Sequence, residues 1–246
     1  MKLSIVIPIH NEEGNIGELI DQIHYELKNI DHELILIDDG SSDNTVNEIL
    51  KKKECFSKLI LLTRKYGQST ALKAGLDYCS GELICILDGD LQNNPTEIVL
   101  LISEIKKNKI DMIQGFRKKR QDSASKKIAS KGANYFIQLL FKTKLNDVGC
   151  SLKIFKREIL SSFIYFDGFH RLIPLIAQIK GYTVAEMGVS HLPRKRGKSK
   201  YGISRFFSVL IHLLKLKFIP ESLNHEIVYL VKNKKVTSSL QEQLKV

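Results

Sequence analysis

Among the 246 residues of this chain, those with the clearest capacity for chemistry are carboxylates placed directly after apolar runs. The run Leu83-Ile84-Cys85-Ile86-Leu87 leads straight into Asp88-Gly89-Asp90-Leu91-Gln92. If the backbone stays extended there, the period of two of a strand puts Asp88, Asp90 and Gln92 on one face. Three oxygen donors on one side suit a hard divalent cation, Mg²⁺ or Mn²⁺, which keeps some waters and takes substrate phosphates in its remaining positions. Two acids spaced by one residue also occur in turns that bind nothing, so the position at a strand end is what gives the pair its weight. A second apolar run, residues 33–37, ends in Asp38-Asp39-Gly40-Ser41-Ser42. Carboxylates there can accept hydrogen bonds from a base N–H or from ribose hydroxyls, and either can equally cap the turn or the helix that follows. The third constellation is Pro8-Ile9-His10-Asn11-Glu12, where another strand breaks and presents polar groups.

Cations complement these acids. Residues 1–100 hold 9 Lys and Arg against 17 Asp and Glu, whereas the rest of the chain holds 29 against 10. An acidic half beside a basic half suits a metal site facing a region that handles anions. The segment from Arg117 to Lys131 contains seven Lys and Arg and only Asp122 as an acid, and a second basic loop runs Pro193-Arg194-Lys195-Arg196-Gly197-Lys198-Ser199-Lys200-Tyr201. The sequence pI near 9.4 also raises nucleic acid as a partner. No helix-turn-helix, zinc-finger or aromatic RNA-binding signature accompanies it, and no nucleic acid is expected.

The elements that must position these groups alternate. Strand-like runs at 3–9, 33–37, 58–62, 83–87 and 111–114 are separated by helix-like segments at 15–28, 43–52, 69–79 and 95–107. Such alternation predicts an α/β fold with a mostly parallel, Rossmann-like sheet flanked by helices. Ligands then gather beyond the carboxyl ends of the strands, where the three constellations fall. Further on, a helix at 133–141, a strand at 152–155, a helix near 171–179 and a strand at 183–189 complete the fold. We expect one domain over 1–200, with 201–246 forming a C-terminal amphipathic helix and tail.

Within 203–219, Arg205, Ser208, His212 and Lys215 form a polar stripe on an otherwise apolar helix. Seventeen residues with three cations are short and charged for a spanning helix. The pattern suits a membrane interface, and equally a helix packed on the core; the tail after Pro220 reads as a further helix or a flexible end. Four cysteines, Cys55, Cys79, Cys85 and Cys150, show neither zinc-ligand nor disulfide-framework spacing, which fits a reducing cytosol. The apolar run at 3–9 is followed by Glu12 and Glu13 and reads as a buried first strand rather than a leader. The expected location is cytoplasmic, peripheral on the cytoplasmic face of a membrane; the sequence sets no oligomeric state.

Five segments in order, IVIPIHNEEGNI (5–16), LILIDDGSSDNT (34–45), GQSTALKAGLDYCSGELICILDGDLQNNP (67–95), NDVGCSLKIFKREIL (146–160) and FHRLIPLIAQIKGYTVAEMGVSHLPRKRGKSKYG (169–202), carry a resemblance over roughly 3–217. Together they resemble the family 2 glycosyltransferases of the GT-A fold, within them the branch of dolichol-phosphate mannosyltransferases and bacterial polyprenyl-phosphate glycosyltransferases. The resemblance implies that Pro8, His10, Glu12, Asp38 and Asp39 surround the nucleoside of a UDP- or GDP-linked sugar donor, with Asp88 reaching it too. It implies that Asp88, Asp90 and Gln92 hold Mg²⁺ or Mn²⁺ on the diphosphate. Arg117, in Gly115-Phe116-Arg117, would face the sugar or the acceptor phosphate, although Phe116 stands where the family usually has a small residue. Lys131, Arg194, Lys198 and Lys200 would serve the diphosphate or the acceptor phosphate. Asp147 sits where hydroxyl-using relatives often place a base, and a structural turn would look the same; the His170-Arg171 pair also resembles a motif of the branch.

The chemistry implied is inverting, metal-dependent transfer of a sugar to polyprenyl phosphate, with Asp90, Arg117 and Asp147 as the catalytic candidates. A hydroxyl acceptor needs a general base, whereas a phosphate monoester is already ionised and needs mainly cations to hold it. The alternative is transfer to a saccharide hydroxyl in cell-surface glycan synthesis. Against it stand the absence of a QxxRW-like motif and of any tryptophan.

Overall fold

The computed structural model describes residues 1–118, 124–193, 204–218 and 227–236. The first strand, β1 (Leu3–Ile9), is followed by α1 (Ile16–Glu26), β2 (His32–Asp38), α2 (Thr45–Leu50), β3 (Lys58–Leu62), α3 (Gln68–Leu76), β4 (Leu83–Ile86), α4 (Thr96–Asn108) and β5 (Met112–Arg117). Then come α5 (Ala124–Phe141), β6 (Lys153–Lys156), α6 (Phe169–Ile179), β7 (Val184–Val189), α7 (Ser204–Phe218) and β8 (Val231–Val236). All strands join one sheet in the order β7-β5-β6-β4-β1-β2-β3-β8. Its centre, β4-β1-β2-β3, is parallel, as is the β5–β7 pair, while β6 and β8 run antiparallel to their neighbours. The architecture is the α/β sheet flanked by helices that the alternation of runs predicts.

Both faces of the sheet are covered, which is why its strands read as near-continuous apolar runs. On β1, Leu3, Ile5, Ile7 and Ile9 pack with α1 (Ile16, Leu19, Ile20, Ile23) and α4 (Ile98, Leu101, Ile105). Val6 faces the other way with Ile35, Ile37 and Ile60, against α3 (Ala71, Leu72, Ala74) and α6 (Phe169, Leu172, Ile173, Ile176). Gly75 lets α3 sit close on the sheet, since a Cβ there would collide with Val6 Cγ1 and Ile37 Cδ1. At the opposite end from the candidate ligand groups, buried Glu33 ties three strands together. It accepts from Ser4 Oγ (2.5 Å), Lys58 Nζ (2.8 Å), and the Ser80 N–H (2.6 Å).

Two expectations change at the C-terminus. The tail is neither a further helix nor a loose end over 231–236: β8 pairs antiparallel with β3 along Lys58–Leu62, because β3 would otherwise present an unpaired row of backbone groups. On α7, His212 does not belong to an outward polar stripe. Its ring packs at a tilt against Phe166, with centroids 4.9 Å apart, beside the buried Leu213 and Leu216. The outward residues are instead Ile211, Leu214 and Phe218, with Lys215 and Lys217 among them. Helix α5 begins at Ala124, earlier than the periodicity suggests, so half of the basic 117–131 segment is helical. Among the described residues no helix is long and apolar enough to cross a membrane.

Candidate active site

The carboxyl ends of β1, β2, β4 and β5 fall on one rim because these strands point the same way. At the end of β1, Asn11 adopts a left-handed φ of 52° and its N–H donates to Ser41 Oγ at 2.9 Å. The Glu12 N–H donates to Thr45 Oγ1 (2.9 Å), and the Glu12 carboxylate accepts from buried Asn15 (2.9 Å). These bonds join the loop after β1 to the loop after β2, so Pro8, His10, Glu12, Asp38 and Asp39 lie in one neighbourhood.

Asp38 and Asp39 do different things. The Ser41 N–H donates to Asp38 Oδ2 at 3.1 Å, closing the turn, while Asp38 Oδ1 is buried with no hydrogen-bond partner among the described residues. A buried acceptor in that state is costly unless a ligand or water supplies the donor, which suits a base N–H or a ribose hydroxyl. Asp39 caps a helix, though not the next one in sequence. Its two oxygens accept the Tyr66 and Gly67 N–H groups, at 2.6 and 2.8 Å, at the head of α3. Burial pushes the Asp39 carboxyl up, opposed by those two N–H groups and by nearby His10 and Lys65. Gly40, at φ +66°, allows the turn to touch the neighbouring loop; a Cβ would lie 2.5 Å from the Arg64 carbonyl carbon.

Beyond β4 the chain leaves the extended conformation. The strand stops at Ile86, and Leu91 takes a left-handed φ of 59°. The alternation that would align Asp88, Asp90 and Gln92 therefore does not hold through Gln92, which a turn redirects. Its N–H donates to Asp90 Oδ1 (3.2 Å), and its side-chain amide donates to the Leu192 carbonyl (3.2 Å). Asp88 accepts from Gln68 Nε2 at 2.9 Å. Burial and then the charge of Asp90 raise the Asp88 carboxyl to about 6, against the opposing pull of Ser151, Lys153 and Arg117. The donor set fits a divalent cation: Asp88, accepting from the Gln68 amide, and buried Asp90, two residues on, offer hard carboxylate oxygens on the loop after β4. Among the described residues no cage of three or more His, Cys, Asp or Glu forms. Two carboxylates plus substrate phosphates are a common way to bind Mg²⁺.

Arg117, the last residue of β5, and Asp147 meet face to face. The guanidinium donates through Nε to Oδ2 (2.6 Å) and through an Nη to Oδ1 (2.7 Å), and the Arg117 N–H adds a third bond at 3.2 Å. This is the bidentate fork geometry of a strong, charge-assisted pair. Glu186 on β7 fixes the loop beneath it by accepting the Asn146 N–H (2.6 Å), the Asp147 N–H (3.0 Å) and the amide of buried Gln114 (2.8 Å).

Several residues here escape sequence reasoning. Gln68 and Glu186 look like ordinary polar positions and gain meaning only from the fold. Lys153 carries a usable signal, a lysine within Leu152-Lys153-Ile154-Phe155. It is fully buried, its Nζ donates to the Cys150 carbonyl, and burial lowers its ammonium pKa while Asp88 and Asp147 pull the other way. Lys131 is exposed on α5, and Arg194, Lys198 and Lys200 lie outside the described residues. His170 opens α6 with Nδ1 at 2.9 Å from Ser69 Oγ.

Comparison with known proteins places this geometry. Over 226 residues the chain is 39% identical to dodecaprenyl-phosphate galacturonate synthase of Rhizobium johnstonii, covering 89% of this chain and 67% of that protein. Glucosyl-3-phosphoglycerate synthase of Mycobacterium tuberculosis, crystallised with Mn²⁺ and UDP-glucose, aligns with a TM-score of 0.70 at 18% identity, covering 88% of this chain and 78% of that one. The same enzyme with Mn²⁺, UDP and phosphoglyceric acid gives 0.71 at 18% identity, covering 96% and 86%. At such identities the two structures speak for the fold, which is of the GT-A kind. Residues 4–163, which contain the rim from His10 to Asp147, match glycosyl transferase family 2, and with the relative's identity this makes the chain a member of that family and a glycosyltransferase.

Proposed function

We propose that this glycosyltransferase moves a sugar from a UDP- or GDP-linked donor to a polyprenyl phosphate, with inversion, at the cytoplasmic face of a membrane. The observation that carries the acceptor assignment is the Arg117–Asp147 pair. Asp147, the carboxylate that the family resemblance offers as a general base, already accepts three hydrogen bonds from Arg117. A carboxylate engaged in this way is placed to orient Arg117, and the guanidinium it orients favours an acceptor that arrives ionised, as a phosphate does. The Rhizobium relative, named for a dodecaprenyl-phosphate product, supports the same choice.

Asp38 and Asp39, with His10, Glu12 and Pro8 around them, receive the nucleoside. Asp88 and Asp90 would hold Mg²⁺ or Mn²⁺. The ion, when bound, supplies positive charge to the diphosphate that leaves. Arg117 and buried Lys153 add positive charge beside the same carboxylates, favouring the developing anion. Lys131, Arg194, Lys198 and Lys200 supply the cations for the acceptor side. The acceptor phosphate attacks the anomeric carbon from the face opposite the diphosphate, and no proton has to be removed.

Membrane attachment rests on α7 and α5. Ile211, Leu214 and Phe218 are exposed beside Lys215 and Lys217, and Tyr135 and Leu139 are exposed on α5. Apolar side chains rimmed by lysine suit the interface of an anionic bilayer.

The test is a screen of UDP-glucose, UDP-GlcNAc, UDP-galactose, UDP-galacturonate and GDP-mannose with short polyprenyl phosphate and Mn²⁺, with Asp90→Asn as control. The expected result is one charged glycolipid, absent with the variant. Product only with saccharide acceptors would establish transfer to a hydroxyl instead.

A further inference from the structure

Four consecutive residues at the head of α3 reach two carboxylates of the rim and the head of α6. The Tyr66 and Gly67 N–H groups hold Asp39, on the nucleoside side. The Gln68 amide donates to Asp88 Oδ1 at 2.9 Å. Ser69 Oγ accepts the Gly168 N–H (2.7 Å), donates to Asp167 Oδ1 (3.2 Å) and bonds His170 Nδ1 (2.9 Å), at the head of α6. This segment has little freedom to move, because Ser69 and Ala71 are buried and Gly75 seats the helix against β1 and β2.

We propose that Gln68 is a positioning residue for the divalent cation: it fixes Asp88 in the orientation that meets the ion, and it does so from the segment that also grips Asp39. The inference rests on the reading of Asp88 as a metal ligand. A carboxylate held next to another of like charge tends to turn away from it, and in the metal-free protein a hydrogen bond from a neutral amide opposes that without competing for the cation as an ammonium would. Because the amide comes from the first turn of a packed helix, the orientation is set before metal or donor arrives. Changes to groups that orient metal ligands typically weaken metal binding about 10–100-fold.

The experiment measures Mn²⁺ alone binding to the metal-free full chain, by the EPR signal of free Mn²⁺, together with thermal unfolding. Gln68→Met keeps the size and helix propensity of the side chain and removes the donor. Its Mn²⁺ Kd is expected to rise about tenfold, with the unfolding temperature of the metal-free protein nearly unchanged. Ser69→Ala, which loosens the contact to α6 without touching Asp88, is expected to keep Kd within about twofold of the parent. Parent-like binding by Gln68→Met, with binding lost in Asp88→Asn, would overturn the positioning role and leave the metal site standing. Equal weakening by Ser69→Ala would also overturn it, reducing the effect to a loosened helix. Parent-like binding by Asp88→Asn would remove the reading on which the inference rests.

Discussion

Asp147→Asn separates the two chemistries open to this fold. In the parent, the Asp147 carboxylate and the Arg117 guanidinium form a fork at 2.6 and 2.7 Å, with side-chain exposures of 8% and 15%. Removing one partner of a well-buried pair costs about 3–5 kcal/mol. Solvent reaches part of Arg117, and asparagine keeps one acceptor, so about 2–3 kcal/mol is the appropriate scale. For a chain of this length that lowers Tm by about 5–10 °C. If Asp147 orients Arg117, acceptor KM should rise and kcat should fall by no more than about tenfold, with the shape of the pH–rate profile kept. If it removes a proton from a hydroxyl, kcat should fall about 10²–10⁴-fold with the acid limb of the profile abolished. The assay is glycolipid formation across pH, paired with thermal unfolding. A cycle with Arg117→Gln and the double variant should show the two changes to be less than additive in stability. A hundredfold or greater loss of kcat at unchanged acceptor KM, with the acid limb of the profile abolished, would refute the reasoning and restore Asp147 as a base.

Four further outcomes follow from the charges and exposures of these residues. Asp88, raised to about 6 by burial and by Asp90, should release Mn²⁺ as the pH falls through that value, with affinity dropping up to about tenfold per pH unit in calorimetric titration. The stabilising contribution of a carboxyl with a raised folded-state pKa is present at low pH and lost as pH rises through that value, so Asp88→Asn should raise the Tm of the metal-free protein at pH 7.5. Burial alone would raise Glu33, but Lys58, Ser4 and Ser80 overcome it and bring the carboxyl from 4.5 down to about 2. That depression contributes about 3 kcal/mol above pH 4.5 and fades as the pH falls towards 2; Glu33→Gln should lose it in urea unfolding at pH 7 and show a flatter pH dependence. Phe218→Glu, at a side chain 68% exposed on α7, should weaken sedimentation with anionic liposomes at least about tenfold, and unchanged sedimentation would remove α7 from the membrane contact.

The sequence announces the sheet clearly where burial on both faces demands long apolar runs. β1 and β3 occupy the residues that pattern predicts, β2 extends one residue beyond it at each end, and β4 stops one residue short. It announces the carboxylates for the same reason: Asp38, Asp39, Asp88 and Asp90 stand out because they interrupt such runs at a strand end. It is silent about β8, whose sequence Val231-Lys232-Asn233-Lys234-Lys235-Val236 has an edge strand's charge and too few apolar residues to show a period. It misdirects at Gln92 and His212, where local spacing is intact and a tertiary partner, Leu192 or Phe166, decides where the side chain goes.

Ser151 and Lys153 stay hidden in the sequence for a topological reason. Looking just past the end of each strand finds ligand groups only for strands that run toward the rim. Strand β6 runs the other way, pairing Lys153 with Ile86 of β4 and Gln114 of β5, so its beginning lies where the others end. The residues that matter there come before the strand: Asp147, which grips Arg117, and Ser151, which bonds buried Asn93. Lys153 follows as the strand's first residue and brings a buried cation toward Asp88. In this sheet, an antiparallel insertion next to the central parallel strands delivers positive charge to carboxylates that the parallel strands deliver from the opposite chain direction. The direction of β6 is fixed by pairing across the sheet, a long-range property that no local window of sequence contains.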